Sequence, residues 1–105
     1  MGIKVEVTDK VKDSTKNANV IATDTWVSMG DEAQKEKRLK EFKGYTVNKD
    51  LMKKANKDAI FMHCLPAYYD YEVTKDVAHG SQSVIFDEAE NRMWAQIAIM
   101  VTVCE

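Results

Sequence analysis

The chain has 105 residues, with 15 basic against 17 acidic side chains and a formal net charge of -2. That is enough for one domain over residues 1–105, and its interleaved charge offers no footprint for a nucleic-acid backbone or an anionic membrane. Hydrophobic residues at 45% and charged residues at 30% exclude a disordered chain, and no apolar run approaches the length of a membrane span.

Ile3 to Val7 (IKVEV) alternates apolar and charged residues, the pattern of a half-buried or edge strand. Thr8 or Asp9 then caps a short helix over Val11 to Ala18, ended by Asn17 and Asn19. Val20, Ile21 and Ala22 start a buried strand running to Asp24 and Thr25. Asp31 to Phe42 predicts a charged helix with acids in its first turn, Asp31/Lys35 and Glu36/Lys40 at i,i+4, and Gly44 just past its end. A short helix over Lys49 to Ala55 precedes the apolar run Ala59-Ile60-Phe61-Met62, after which Pro66 opens a loop. Ser83 to Phe86 (SVIF) reads as the last strand, and Asp87 to Val103 as a closing helix whose final turn is weakened by β-branched residues. About four mainly parallel strands alternating with helices imply an α/β, Rossmann-like three-layer fragment. The opening residues lack the apolar core of a signal peptide, and a cytoplasmic location is expected, with the mitochondrial matrix as the alternative in a eukaryote. Cys64 and Cys104 have no CxxC spacing, and free thiols are expected.

Ligands of parallel α/β sheets gather at the carboxyl ends of strands. After the second strand comes Asp24-Thr25-Trp26-Val27-Ser28-Met29-Gly30, after the third His63-Cys64-Leu65-Pro66, and after the fourth Asp87-Glu88-Ala89-Glu90-Asn91-Arg92. One rim thus combines a carboxylate, a hydroxyl at a helix start, a thiol beside an imidazole, and a guanidinium. DTWVSMGDE, KEKRLKEFKGYTVN, AIFMHCLPA and SVIFDEAENR, in this order, resemble the carboxyl-terminal, ornithine-binding part of ornithine carbamoyltransferase over most of the chain.

That resemblance implies transfer of a carbamoyl group from carbamoyl phosphate to the δ-amino group of L-ornithine, giving citrulline and phosphate without a cofactor or metal, as a step of arginine biosynthesis or the urea cycle. It implies that Asp24 holds the α-ammonium group and that Ser28 and Met29 help hold the ornithine. Cys64 then lies beside the attacking amine, Leu65 offers its backbone carbonyl to the carbamoyl amide, and Arg92 donates to the carbamoyl oxygen, where charge grows in the transition state. Pro66 follows a typically cis bond. Asp24, Cys64 and Arg92 are the catalytic set on this reading. Read from the residues alone, Ser28 also fits a capping box, His63 is a hydrogen-bonded structural residue, a metal ligand or an orienter of the thiol, and Arg92 is a solvated arginine at a helix start. Cys64 is expected to be the more reactive thiol.

The resemblance also implies what is missing. The family's Ser-Thr-Arg-Thr phosphate loop, its His-Pro segment and the asparagine that grips the ornithine carboxylate have no match, and the domain's first strands precede the region covered. The chain is therefore expected to bind ornithine weakly by itself and to be inactive alone. It is read first as a fragment or engineered minimal domain of the ornithine-binding half; the alternatives are one subunit of a split enzyme that works with a separate amino-terminal carbamoyl-phosphate half, and a structural module that associates with copies of itself through Tyr68, Tyr69, Tyr71 and the closing helix.

Overall fold

The structure is a computed structural model and describes residues 2–104. The expected domain, 1–105, takes in one residue beyond these at each end.

The first regular element, α1 (Val11–Ser14), is a single turn. Asn17, in the left-handed region at φ 59°, turns the chain out of it, a conformation that asparagine tolerates better than most residues. Asn56 secures this corner: its side chain donates to the Asn17 carbonyl (3.0 Å) and to Asn19 Oδ1 (2.6 Å), and its backbone N–H donates to Ala18 (2.9 Å). Strand β1 (Val20–Thr23) then runs parallel to β2 (Ile60–His63), pairing Val20 with Ile60, Ile21 with Phe61, Ala22 with Met62 and Thr23 with His63.

Between the strands the expected charged helix divides. A 3₁₀ turn over Glu32–Gln34 leads into α2 (Lys35–Glu41), and Gly44, at φ 99°, ends the segment in a conformation that favours glycine. The tighter first turn takes Asp31 out of i,i+4 register with Lys35, and its carboxylate pairs instead with Arg38 at 3.0 Å; Lys37 and Glu41 form the i,i+4 pair at 3.8 Å. Helix α3 (Lys49–Met52) is capped by Asn48, whose Oδ1 accepts from Leu51 N–H at 2.9 Å. The sequence reading places a loop from Pro66 onward, yet α4 (Lys75–Ala78) forms inside it, with Thr74 as its N-cap and Val77 and Ala78 buried. Gly80 follows closely: a β-carbon there would lie 2.8 Å from the Asp76 carbonyl oxygen.

The α/β character holds, with two strands among the described residues in place of the expected four or so. Ile3 to Val7 forms no strand, and Ile3, Val5 and Val7 are exposed. An alternating segment becomes a strand only when a neighbouring backbone takes up its hydrogen bonds, and none among the described residues does so. At Ser83 to Phe86 there is a single bridge, Ser83 to Phe61, after which helix α5 (Ile85–Val103) begins. Short apolar runs do not distinguish a strand from a buried first helical turn, and here Asp87 and Glu88 in the first turn favour the helix. Phe61 N–H donates to Gln82 (2.8 Å) and Val84 N–H to Phe61 (3.0 Å), so this segment still covers the outer edge of β2.

The core gathers on one side of the strand pair: Ile21 from β1, Phe61 from β2, Val47, Leu51 and Met52 around α3, Val73, Val77 and Ala78 around α4, and Ile85 from α5. Past Ile85 helix α5 leaves this core. Met93, Trp94, Ile99, Met100 and Val101 are exposed, apolar side chains without a covering surface among the described residues. Phe61 is fully buried at the centre. Phe61→Ala should therefore lower stability by about 3–5 kcal/mol, read as a reduced urea midpoint by circular dichroism.

Candidate functional site

The parallel register carries the two strands to a common end, so the residues that follow Thr23 and His63 emerge side by side. Cys64 Sγ donates to Asp24 Oδ1 at 3.1 Å, across 40 positions of sequence, and Thr25 N–H donates to the same oxygen at 2.7 Å. Both donors favour the charged carboxylate and hold Asp24 below its ordinary value; the Cys64 thiol contributes most and Thr25 next. Cys64 moves the opposite way: its hydrogen bond to Asp24 first, then burial and the carboxylate's charge, push the thiol up. At neutral pH the pair is a carboxylate accepting from a protonated thiol. Cys64 is thus a polar neighbour and not a thiolate nucleophile.

Behind this pair lies a buried network. His63 and Glu72 are almost completely enclosed, with His63 Nε2 3.0 Å from Glu72 Oε1. Tyr68 N–H donates to the same Glu72 oxygen at 2.7 Å, and Leu65 N–H donates to His63 Nδ1 at 2.9 Å. His63 N–H in turn donates to Glu88 Oε2 at 2.9 Å, which ties α5 to the end of β2. Of the alternatives for His63, the hydrogen-bonded structural role is the one occupied, and its ring faces Glu72 and Leu65. Leu65 has φ 58°, is joined to Pro66 by a cis bond, and its carbonyl accepts no hydrogen bond among the described residues.

Asp24, His63, Cys64 and Glu88 line an open cavity of about 380 Å³ across the strand ends. Ser28 and Met29 do not reach it. Their loop is fastened to α2 by Trp26, which stacks on Phe42 at 5.5 Å, and by Arg38, which donates to the Trp26 carbonyl at 3.1 Å. Beyond Trp26 the loop projects: Ser28 and Met29 are exposed and line a different cavity, of about 530 Å³, with Lys35, Tyr68, Tyr69 and Tyr71. The capping box expected at Ser28 does not form. The Ser28 carbonyl accepts from Asp31 N–H (3.0 Å), and Glu32 Oε1 accepts from Gly30 N–H (3.2 Å). The tyrosines form a packed group, Tyr68 stacked with Tyr71 at 6.3 Å and Lys35 Nζ 5.5 Å from the Tyr71 ring centre.

Arg92 lies one helical turn beyond Glu88 on α5, exposed and outside the cavity of Asp24 and Cys64, with no ion pair among the described residues. The structure therefore brings Asp24, Cys64 and Leu65 to one strand end, holds Ser28 and Met29 at a second cavity, and leaves Arg92 on the helix surface. Glu72 and Glu88 were not singled out by the sequence. Glu72 lies in the tyrosine-rich stretch and Glu88 among several acids, and no local pattern marks either as buried against His63.

The two thiols provide a direct test, and the expected order of reactivity reverses. Cys104 is exposed, whereas Cys64 is partly enclosed and held protonated beside a carboxylate. Iodoacetamide at neutral pH should label Cys104 first, as read by peptide mass spectrometry. Because the raised thiol value comes mainly from Asp24, Asp24→Ala should shift the rise of Cys64 labelling toward lower pH. An unchanged profile would separate the two groups electrostatically.

A family model described as aspartate/ornithine carbamoyltransferase, Asp/Orn binding domain, matches residues 1–103. The chain is 58% identical over 103 residues to an ornithine carbamoyltransferase of Caldicellulosiruptor saccharolyticus, covering 98% of this chain and 33% of that protein. Among solved structures it is similar to the Pyrococcus furiosus ornithine carbamoyltransferase, with a TM-score of 0.78 at 51% identity over 86% of this chain and 29% of that one. It is also similar to the Thermus thermophilus enzyme, with a TM-score of 0.82 at 37% identity over 93% and 31%. The chain spans about a third of the length of the curated relatives it matches. With nearly every residue covered by the family model, the chain belongs to the aspartate/ornithine carbamoyltransferases, as their Asp/Orn binding domain.

Proposed function

We propose that this chain is the ornithine-binding portion of an ornithine carbamoyltransferase and acts only when a carbamoyl-phosphate-binding portion is supplied. The observation that carries this reading is the Asp24–Cys64 pair at the strand ends, a charged carboxylate with a protonated thiol beside it, close to the unoccupied acceptor of the Leu65 carbonyl. An amino-acid ammonium group suits Asp24. In the reaction the neutral δ-amine attacks the carbamoyl carbon, the bond from that carbon to the phosphate oxygen breaks, and the proton the amine loses passes to the departing phosphate. Asp24 orients the amino acid, the Leu65 carbonyl accepts from the carbamoyl amide, and Cys64 stays protonated beside the amine without forming a thioester. Ser28 and Met29 join the ornithine from their loop. Arg92 donates to the carbamoyl oxygen as charge develops there. The site works in a protein expected in the cytoplasm; among the described residues no helix is long and apolar enough to cross a membrane.

Phosphate as leaving group needs several fixed donors, and Arg92 alone does not provide them. The purified chain should therefore form no citrulline above background from carbamoyl phosphate and ornithine, and adding a separately expressed amino-terminal portion of a relative should restore it. In that restored system Arg92→Ala should reduce turnover by about 10²-fold or more. Full activity of the chain alone would refute the division of labour. A near-normal rate for Arg92→Ala would leave Arg92 as a surface residue. Ornithine titrated into the chain alone, followed by NMR, should bind no more tightly than millimolar, because one ion pair does not repay the ordering of two loops.

A second reading is favoured by α5. Met93, Trp94, Ile99 and Met100 are each about half exposed or more, and burying such side chains is worth roughly 1.5–3 kcal/mol apiece. The chain on its own should associate with further copies through this helix. Sedimentation at several concentrations should show a mass that rises with concentration, and Trp94→Glu should shift it toward monomer.

A further inference from the structure

Leu65 has a branched side chain in the left-handed region, at φ 58°, a conformation that persists only where neighbours hold it. Two hydrogen bonds bracket the turn. Leu65 N–H donates to His63 Nδ1 at 2.9 Å on its entry side, and Tyr68 N–H donates to Glu72 Oε1 at 2.7 Å on its exit side. The two acceptors are themselves linked, His63 Nε2 to Glu72 Oε1 at 3.0 Å, and both side chains are fully enclosed.

The donors and acceptors leave one arrangement. A backbone N–H can only donate, so His63 Nδ1 carries a lone pair, the ring proton sits on Nε2, and Glu72 Oε1 accepts it. Glu72 Oε2 is buried with no partner. A carboxyl group left half-satisfied inside a small core is costly, and an amide in its place would bury two unpaired N–H donors where Oε2 now lies. What a carboxylate adds is a stronger acceptor for Nε2–H, and polarising that bond makes Nδ1 the better acceptor for Leu65.

We propose that Glu72 and His63 are positioning residues for the reaction: the pair fixes the imidazole tautomer, and through it holds the Leu65 turn so that the Leu65 carbonyl meets the carbamoyl amide in one orientation. The inference rests on the ornithine carbamoyltransferase reading, with a part that stands apart from activity. Neither residue touches substrate. Each acts through the backbone of residues 65–68.

The test uses the full chain labelled with ¹⁵N. Side-chain ¹⁵N–¹H spectra should show His63 as the Nε2–H tautomer, and the Leu65 and Tyr68 amides should exchange slowly. Two isosteres then separate the ring's two ends. His63→Asn retains an acceptor near the place of Nδ1, whereas His63→Gln reaches toward Glu72 and offers Leu65 nothing. Leu65 amide exchange should accelerate roughly tenfold in His63→Gln, the loss expected of one hydrogen bond, and much less in His63→Asn. With the amino-terminal portion added, kcat/KM for carbamoyl phosphate should fall in the same order, more in His63→Gln than in His63→Asn. An Nδ1–H tautomer, or a fast-exchanging Leu65 amide in the unsubstituted chain, would overturn the proposal even if no variant folds. Equal loss in both variants, following their urea midpoints, would reduce the pair to a structural role and also overturn it. If the tautomer and exchange pattern hold while the unsubstituted, complemented chain makes no citrulline, the carbamoyltransferase reading fails and the geometry of the turn stands.

Discussion

The parallel pairing of Val20–Thr23 with Ile60–His63 is the constraint on which the site depends. Slipping that register by one residue would reverse the faces of the moved strand, exposing Phe61 and His63 and withdrawing Cys64 from Asp24. The burial of Phe61 makes such a slip expensive, because Ile21, Val73, Val77 and Ile85 all belong to the core it centres. The hydrophobic core is thus what sets the 3.1 Å contact between thiol and carboxylate, although neither partner belongs to it. Chemistry at the rim is positioned by side chains that never meet a ligand.

Acidic groups dominate this end of the sheet. Asp24, Glu72 and Glu88 come from three separate elements and converge around His63, with Asp24 and Glu88 lining the open cavity and Glu72 enclosed behind it. Each has different partners: Asp24 accepts from a thiol and a backbone N–H, Glu88 from the His63 N–H, and Glu72 through Oε1 alone from an imidazole and the Tyr68 N–H. A negative rim of this kind attracts amines and repels anions.

Much of this was readable before the structure, and the failures have physical causes. β1, β2, α3, α5 and the left-handed glycine at 44 each carry their signal within a few residues, as an apolar run, a cap or a terminator. Ile3 to Val7 has as clear a pattern as either real strand, but its outcome depends on whether another backbone lies alongside, and the alternation of IKVEV says nothing about that. Ser83 to Phe86 differs for another reason: Ile85 is buried, but in the first turn of a helix, where the same short apolar run fits equally well. Asp24, Cys64 and Leu65 were legible because recurring motifs mark them. Glu72 was not, since its importance arises from a buried contact with His63 across the Pro66 turn.

The separation of the two strands has a consequence for how the molecule comes together. Val20 meets Ile60, so the first interstrand bond closes a loop of 40 residues, and the outer edge of β2 waits for Gln82 and Val84. The intervening helices are only four to seven residues long and cannot persist alone in water. Pairing of the two strands therefore proceeds through a distant encounter, which slows it for a chain of this size. On a ribosome, β1 would emerge long before its partner and remain unpaired until Ile60–His63 has cleared the exit tunnel, a window in which it is open to chaperones and to misassembly.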